Sequence, residues 1–407
     1  MKALVKYADT DGALEVRDVP EPVAGPGTVL VRVHTVGVCG SDIHMWHNTQ
    51  SKSSKGVLPI TLGHESAGVV AAVGDGVTGW SIGDRVVCET AASICGVCGL
   101  CRSGRYNLCP WREGYGLKRD GAMAEYVVAE PRVLHRIPDN VSFETASMTE
   151  PYAVAYNAVV ERAPVSPGDL VVVQGAGTIG ILALQMAILR GAATTVVLGT
   201  EIDTHRLEQA RRLGADHVVD ISRQDPAEAI SRLHDGLGAD LVVDATGVSA
   251  ALKQSMELVR PAGAIAKVGW GPQPLGFTLD PLVKKAVTLY GCYSHTWSTW
   301  ENVLRLFSQG KFRPELILGG VYAIEQWEAA FSAMQRGDNV KSALRMPFGF
   351  EDSGPLGGES HSGGSLDGGS LDRGSLSDES LSGGSPGSVS RIGGSRTGGF
   401  QTGETTN

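Results

Sequence analysis

LVVVQGAGTIGILALQMAILR, residues 170–190, is the stretch that decides the fold. It joins a short apolar run, a Gly-x-Gly-x-x-Gly turn and a helix-length apolar run, with no charge before Arg190. A glycine turn between a strand and a helix lets the backbone approach a pyrophosphate at the helix N-terminus. The stretch therefore predicts a dinucleotide-binding unit. The residues expected to contact the nucleotide are Gly175, Gly177, Thr178, Ile179 and Gly180.

The same rhythm extends on both sides of this unit, from about residue 165 to residue 295. Short apolar runs alternate with helix-length segments, which is typical of βαβ units on a parallel sheet. The uncharged stretch 171–189 is long enough for a membrane span. Its glutamines and glycines fit a strand, a turn and a buried helix better, so we expect no membrane partner. The runs predicted as strands are 170–173, 195–198, 218–219, 241–243 and 265–268.

The rest of the chain differs in character from this central region. Residues 1–150 carry short apolar runs broken by Gly, Pro and Asp, which indicates a β-rich domain. The last 57 residues hold 16 Gly and 13 Ser. Such a segment buries too little apolar surface to offset the entropy lost on ordering, so we predict that it is disordered and serves as an inert tail or a tether. The predicted organisation is one domain from 1–154 and 296–350, a second from 155–295, and a tail from 351–407.

Charge and cysteine content limit the function classes. Lys and Arg number 35 against 44 Asp and Glu, a net charge of −9, which argues against nucleic-acid and anionic-membrane partners. The N-terminus has no apolar signal-peptide core, so we expect a soluble cytoplasmic protein. In that compartment, seven cysteines favour metal binding over disulfides.

Four cysteines lie close together in a predicted lobe at 93–112. Their spacing is C-x2-C-x2-C-x7-C, which allows four thiolates to surround one Zn²⁺ with no open position. Such a closed site is structural rather than catalytic. An iron–sulfur cluster or unligated thiols are the alternatives. The four expected ligands are Cys95, Cys98, Cys101 and Cys109.

A second metal motif lies in GHESAGVVAAVGDGV, residues 63–77. His64 follows the segment Cys39-Gly-Ser-Asp-Ile-His44 by about 25 residues. Cys and His can share a Zn²⁺, and a carboxylate can complete three protein ligands, leaving a fourth position for water or substrate.

These motifs, in this order, resemble the zinc-dependent medium-chain alcohol dehydrogenases over residues 1–348. EPYAVAYNAV, residues 150–159, looks like the polyol (sorbitol or iditol) and threonine dehydrogenase branch. The resemblance implies a GroES-like catalytic domain, a Rossmann domain and a homo-oligomer, either dimer or tetramer. It implies hydride transfer between a secondary alcohol of a small polyol and NAD or NADP, with one catalytic and one structural zinc.

The resemblance also assigns roles around the catalytic zinc. Cys39 and His64 would be ligands, and Asp42 would hold the His64 imidazole through its other nitrogen. Glu65 is a direct ligand in the polyol branch, while Glu150 would either ligate the zinc or hydrogen-bond its water. Which carboxylate is the third ligand stays open.

The resemblance places a proton relay at Ser41 and His44. Zn²⁺ acidifies a bound alcohol, and the proton must then leave a buried site. The Ser41 hydroxyl can pass it on, and His44 titrates near neutrality and can give it to solvent.

The sequence leaves the nucleotide preference and the substrate less determined. Counting back from Arg206 puts Glu201 at the position of the acid that binds the adenosine ribose, whereas counting forward puts Gly199 there. Arg206 is itself expected to contact the nucleotide, and Gly199-Thr200 followed by His205 and Arg206 could admit NADP. We expect NAD rather than NADP. Threonine is an alternative substrate, and a non-catalytic binding paralogue is the alternative from another class. Four residues could equally line the substrate pocket or belong to the hydrophobic core, namely Tyr293, His295, Trp297 and Trp300.

Overall fold

The computed structural model describes residues 1–49, 57–163, 165–271 and 273–347. The predicted tail, 351–407, lies outside the described residues. The strands are β1 Lys2–Lys6, β2 Leu14–Asp18, β3 Val29–Gly37, β4 Ile60–Thr61, β5 Ser66–Val73, β6 Arg85–Cys88, β7 Tyr126–Ala129, β8 Leu134–Arg136, β9 Leu170–Gln174, β10 Thr194–Gly199, β11 His217–Asp220, β12 Ala239–Asp244, β13 Val259–Lys267, β14 Thr288–Gly291, β15 Leu318–Ala323 and β16 Lys341–Arg345. The helices are α1 Gly40–Trp46, α2 Gly99–Arg102, α3 Phe143–Ser147, α4 Thr149–Tyr156, α5 Thr178–Leu189, α6 Thr204–Arg212, α7 Pro226–Ser231, α8 Ser249–Leu258, α9 Asp280–Lys284, α10 Trp297–Ser308 and α11 Trp327–Gln335.

Six strands form a parallel sheet in the order β11-β10-β9-β12-β13-β14. Counted from β9, this is the 3-2-1-4-5-6 order of the Rossmann fold, whose ligand crevice opens where the order reverses. That point lies between β9 and β12, directly beyond the glycine turn. The five predicted runs lie in β9 to β13. The sixth strand, β14, was not predicted, since its residues are half-buried or exposed at the sheet edge.

The stretch that starts this sheet is buried on every side. All five residues of β9 are buried, as expected of a central parallel strand covered on both faces. Helix α5 has apolar residues on all its faces, as expected of a helix that is buried along most of its length. Its 12 residues rise about 18 Å. Among the described residues, no helix has the length and apolarity needed to cross a membrane.

A second, mostly antiparallel sheet is built from both ends of the described chain. Its order is β15-β16-β3-β5-β6-β8, with β7 also paired to β3. Strand β16 comes after the parallel sheet in the sequence, yet Leu344 pairs with Val36 of β3. A small third sheet has the order β2-β1-β4. The chain therefore combines a β-rich GroES-like part with a Rossmann part, as predicted. The exact boundaries at 154/155 and 295/296 stay predictions.

Helices α4 and α10 pack together beside the parallel sheet. Tyr152 of α4 contacts Phe307 of α10 edge to face, with ring centroids 4.7 Å apart. Trp300 of α10 is 1% exposed and belongs to the same hydrophobic cluster as Val171 and Val173 of β9. This packing fixes the start of α10, and therefore the loop that precedes it.

Candidate active site

The glycine turn after β9 has the shape of a nucleotide cradle. A Cβ atom on Gly180 would lie 1.8 Å from the Gly175 carbonyl oxygen, so only glycine lets α5 pack this closely on the strand. A Cβ on Gly177 would meet nothing within 4 Å, which leaves open space over the turn. No side chain caps the N-terminus of α5, so its first N–H groups are available to an anion. These residues fit a pyrophosphate.

The carboxyl end of β10 places the two candidates for the ribose-binding acid. Gly199 is the last residue of the strand and is buried. Glu201 begins the following turn and its side chain is exposed. The Arg206 guanidinium is engaged elsewhere: it pairs with Asp203 at 3.1 Å and donates to backbone carbonyls near the end of α11. Arg206 is thus placed beside residues 334–339, while Glu201 is the exposed acid at the strand end.

The structure brings Cys39, His64 and Glu65 together. Their ligand atoms all lie within 4.8 Å of one another. Cys39 caps α1, and the other two residues precede β5. Gly63 has a φ of +93°, and a Cβ there would lie 2.7 Å from the Met123 nitrogen. Glycine is therefore required for the turn that delivers His64 and Glu65 to the cluster.

Two buried polar atoms of this cluster lack partners. Among the described residues, no hydrogen bond reaches His64 Nδ1 or Glu65 Oε1. Buried polar groups are normally satisfied, so the unpaired Glu65 Oε1 beside a thiol and an imidazole points to a ligand. Burial lowers the pKa of the His64 imidazole, but Cys39 and nearby carboxylates raise it by more, to about 10. The cluster therefore favours a cation, and its N, O and S donors fit zinc.

Asp42 lies where a supporting carboxylate would be needed. It is buried, and its Oδ2 accepts a 2.9 Å hydrogen bond from the Cys39 backbone nitrogen. Its Oδ1 lies 3.9 Å from His64 Nδ1, close enough for electrostatic attraction but too long for a hydrogen bond. Asp42 thus holds the α1 N-terminus in place and lies beside the imidazole.

Lys341 is a functional candidate that the sequence reasoning missed. It is 1% exposed, its ammonium contacts Glu65 Oε2, and it donates to the Val38 carbonyl oxygen at 2.8 Å. Burial alone would lower the pKa of Lys341. The negative charges of Glu65 and Cys39 together outweigh burial, so the pKa of Lys341 is raised above its ordinary value. The sequence offers no clear signal for Lys341, because the strand KSALR, residues 341–345, is mixed in polarity.

Through Lys341 the cluster is joined to the glycine turn. The Thr178 hydroxyl donates to the Val340 carbonyl oxygen at 2.6 Å, and Val340 immediately precedes Lys341. Lys341, the first residue of β16, and Val340 just before it therefore contact the candidate metal cluster and the glycine turn, respectively. The predicted cofactor and metal sites are neighbours in the fold.

Glu150 lies at the start of α4, outside the 4.8 Å cluster, and is 8% exposed. Its Oε1 accepts from the Thr90 hydroxyl at 3.2 Å and lies 3.3 Å from His295 Nε2. Burial alone would raise the pKa of Glu150. The hydrogen bond with His295 and nearby positive charges together outweigh burial, so the pKa of Glu150 is lowered to about 2. Of the two predicted carboxylates, Glu65 is the one grouped with Cys39 and His64.

Ser41 and His44 lie on one face of α1, three residues apart. Ser41 is half-buried and His44 is exposed. The His44 Nδ1 atom lies 2.7 Å from the Thr49 hydroxyl. Burial and the neighbouring His47 lower the pKa of His44. Of the two predicted relay residues, His44 is thus the one at the solvent-exposed surface, and within the described residues no hydrogen bond joins it directly to Ser41.

The four lobe cysteines surround a common point. Their sulfur atoms lie within 4.8 Å of one another, and Cys95 is 3.9 Å from Cys101 and 3.6 Å from Cys109. These distances are far longer than a disulfide bond of about 2.05 Å. A tetrahedron with metal–sulfur bonds of about 2.3 Å has edges of about 3.8 Å. The lobe therefore fits one tetrahedral zinc ion.

The backbone of the lobe also prepares a thiolate. The N–H groups of Cys98 and Val97 point at Cys95 and lower its pKa to about 6. Thiolates are the form that binds metal. A ligand can thus be deprotonated at neutral pH before a metal arrives.

We expect Cys98→Ser to reduce stability rather than chemistry. Val97, Leu108 and Trp111 of the lobe are exposed rather than packed in a core, so its order depends on the closed site. Losing a ligand should therefore lower the melting temperature and the zinc content. Cys292→Ser is the matched control, because Cys292 is a half-buried thiol outside both clusters. Thermal unfolding and metal analysis of the two variants check this. Equal melting temperatures would contradict a structural role for the lobe.

Comparison with known families agrees with this arrangement. Residues 25–139 match the alcohol dehydrogenase GroES-like domain, and residues 178–309 match the zinc-binding dehydrogenase family. The first match covers the Cys39–His64–Glu65 cluster and the cysteine lobe. The second begins in the glycine turn.

Curated relatives match over almost their whole length. Sorbitol dehydrogenase of Halalkalibacterium halodurans is 39% identical, over 84% of this chain and 99% of the relative. D-arabitol-phosphate dehydrogenase of Enterococcus avium is 33% identical, over 84% of this chain and 96% of the relative. L-threonine 3-dehydrogenase of Pyrococcus abyssi is 34% identical, over 84% of this chain and 97% of the relative.

Solved structures share the fold. Alcohol dehydrogenase of Thermus sp. ATN1 is 31% identical with a TM-score of 0.77, covering 85% of this chain and 100% of that one. A Sinorhizobium meliloti 1021 zinc-binding dehydrogenase bound to NADP is 27% identical with a TM-score of 0.77, covering 84% and 98%. An Escherichia coli CFT073 alcohol dehydrogenase complexed with NADH is 26% identical with a TM-score of 0.77, covering 85% and 99%. This chain belongs to the zinc-dependent medium-chain alcohol dehydrogenase family and is an oxidoreductase.

Proposed function

We propose that the chain oxidises a secondary hydroxyl of a polyol with NAD, using one catalytic and one structural zinc ion. The observation that carries this proposal is the junction at β16. There Val340 contacts the glycine turn, and Lys341 contacts Glu65 of the candidate metal cluster. A nucleotide and an acidified alcohol can therefore meet at one place, which hydride transfer requires.

The chain's residues divide the work around this junction. Zinc held by Cys39, His64 and Glu65 would supply the acidification of a bound alcohol. Ser41 lies two residues beyond Cys39 and accepts the hydroxyl proton. His44, one helical turn further along α1, delivers that proton to solvent. The pKa of His44 is lowered, so the imidazole is ready to accept a proton at neutral pH.

A substrate screen tests the proposal. Purified protein is assayed for NAD and NADP reduction over polyols, linear diols, polyol phosphates and threonine. We expect the highest kcat/KM with a polyol and NAD. Threonine is the main alternative, since a threonine dehydrogenase is 34% identical to this chain. Preferential turnover of threonine would replace the polyol assignment. No turnover with any substrate would favour a non-catalytic paralogue.

NAD rather than NADP is supported by the end of β10. Glu201 is exposed there and would repel a 2′-phosphate while accepting hydrogen bonds from a ribose hydroxyl. Arg206, which could otherwise favour the phosphate, is already bonded to Asp203 and to backbone carbonyls. Glu201 is therefore proposed as the nucleotide-selecting acid.

We expect Glu201→Ala to raise the KM for NAD about tenfold or more and to reduce the preference of the enzyme for NAD over NADP. A hydrogen bond to a charged group contributes about 1.5–3 kcal/mol, which is the basis of this estimate. Glu208→Ala is the matched control, because Glu208 is an exposed acid of α6 that pairs with Arg211. Steady-state kinetics with both nucleotides check this. An unchanged KM for NAD would move the selecting role away from Glu201.

A homo-oligomer is also proposed, built through the edge of the parallel sheet. Within the part of the chain that the structure describes, β14 pairs on one side only, with β13, and Leu289 on it is 39% exposed. Val283, just before this strand, is 81% exposed. An open apolar edge strand is a surface that a second copy can cover. A cytoplasmic location stays a prediction.

We expect Leu289→Lys to lower the molar mass measured by light scattering at micromolar concentration. The added charge would have to be buried in the proposed interface, which is costly. Ile82→Lys is the matched control, because Ile82 is 72% exposed but lies in a turn before β6. If the wild type is already monomeric, or if both variants keep the oligomer, this edge is not the interface.

A further inference from the structure

His295 is the buried group of the active-site region that has no assigned role. It lies in the loop before α10 and is 1% exposed. Its Nε2 lies 3.3 Å from Glu150 Oε1 and 3.3 Å from the Thr90 hydroxyl. Its Nδ1 accepts a 2.6 Å hydrogen bond from the Trp300 indole nitrogen. Both ring nitrogens are therefore engaged by buried partners.

The Trp300 bond fixes where the imidazole proton lies. An indole N–H can only donate, so His295 Nδ1 must act as the acceptor. The single proton of the neutral ring is then on Nε2 and points at Glu150. Trp300 thus makes His295 a hydrogen-bond donor toward the carboxylate.

The loop that carries His295 is anchored on both sides. Asn107, in the cysteine lobe, donates to the Tyr293 carbonyl oxygen at 2.9 Å. Asn157, just after α4, donates to the Ser294 carbonyl oxygen at 2.8 Å. Ser294 has a φ of +57°, a conformation that non-glycine residues rarely adopt, so these anchors maintain a strained backbone. The position of His295 is built into the fold rather than left to loop motion.

The contacts of Glu150 show what this donor does. Both Thr90 and His295 lie against Oε1, and within the described residues no hydrogen bond reaches Oε2. With Oε1 held, the carboxylate presents Oε2 as its free acceptor. A carboxylate without this restraint could rotate and exchange its two oxygens.

We propose that His295 is a positioning residue for the dehydrogenase reaction: its Nε2–H, oriented by Trp300, holds Glu150 Oε1 so that Oε2 faces the candidate metal cluster. This inference rests on the proposed function for its kinetic consequence. Groups that orient metal-site residues through hydrogen bonds typically affect activity or metal affinity by about 10–100-fold. We therefore expect kcat to depend on His295 while KM changes little.

The test compares His295→Leu with His295→Gln. His295→Leu should lower kcat by about 10–100-fold, and His295→Gln should recover most of that loss, because its amide N–H can reach Oε1. Trp300→Phe, which keeps a ring but removes the donor, should give an intermediate loss. His135→Gln is the matched control. The His135 ring also packs on Trp300, at 5.5 Å, but its nitrogens contact Glu89 and Glu301 rather than Glu150.

A second measurement does not depend on turnover. Long-range 1H–15N correlation spectra of the wild type should contain the signal of an imidazole protonated on Nε2 that is absent from the spectrum of His295→Gln, which assigns it to His295. A proton on Nδ1, a His295→Leu enzyme with wild-type kcat, or equal losses in His295→Leu and His135→Gln would each overturn the proposal. If the wild type instead turns over no substrate while the Nε2 signal is present, the proposed function fails and the orientation of His295 stands.

Discussion

Replacing Cys39 by Ala should reduce kcat to the background rate while leaving the protein folded. Cys39 is half-buried and supplies the only thiolate of the Cys39–His64–Glu65 cluster, so its loss removes a ligand that His64 and Glu65 alone do not replace. The cysteine lobe is separate and should keep its ion. Metal analysis is therefore expected to fall from two zinc ions per subunit to one, with a nearly unchanged melting temperature.

The control for this experiment is Cys292→Ala, which also removes a half-buried thiol but lies outside both clusters. It should retain two zinc ions and wild-type turnover. Wild-type protein with one zinc ion or none would end the two-site interpretation. A Cys39→Ala protein that keeps both ions would show that the thiol is not a ligand, whatever its turnover.

Ser41→Ala should lower turnover by roughly 10²–10⁴-fold, the range typical of general acid–base catalysis. Alcohol oxidation must export a proton, and Ser41 is the hydroxyl of α1 nearest in sequence to Cys39. His44→Gln should cost less, because His44 is exposed and solvent can replace it. Its deficit should shrink as the pH rises and hydroxide accepts the proton instead. The measurement is a pH–rate profile of the wild type and both variants with one good substrate.

Ser103→Ala serves as a control for this series, since Ser103 is an exposed hydroxyl at the end of α2, in the cysteine lobe. Zinc content should be unchanged in all the variants, so that a loss of turnover is not a loss of metal. Near-wild-type turnover of Ser41→Ala at neutral pH would exclude the relay, even if the zinc ligands are correct.

The parallel sheet was predictable because its central strands are buried on both faces. Such strands read as uninterrupted apolar runs, and Leu170–Gln174 is the clearest of them. β14 could not be found in the same way. At the sheet edge it is covered on fewer sides, and the sequence TLYG alternates too briefly to indicate a strand.

The two candidate metal clusters were predictable for a different reason. Cys39, His64, Glu65 and the four lobe cysteines lie in short motifs whose spacing is itself the signal. Lys341 and His295 act through partners far away in the sequence, and no local pattern marks such a pair. A buried lysine looks like a misplaced surface residue, and a histidine among tryptophans looks like core. Only the folded chain shows that each lies against a carboxylate.

The pairing of β16 with β3 has a consequence for how this protein is made. The contact between Lys341 and the Val38 carbonyl joins residues 303 positions apart. Closing so long a loop costs entropy before any contact repays it, which makes this a late and slow step of folding. Until β16 is synthesised and docked, the end of β3 at residues 35–37 is unpaired on the side that β16 covers, and it can pair with another chain. Nascent or truncated protein lacking β16 should therefore aggregate, and chaperone demand should fall once this last strand closes the sheet.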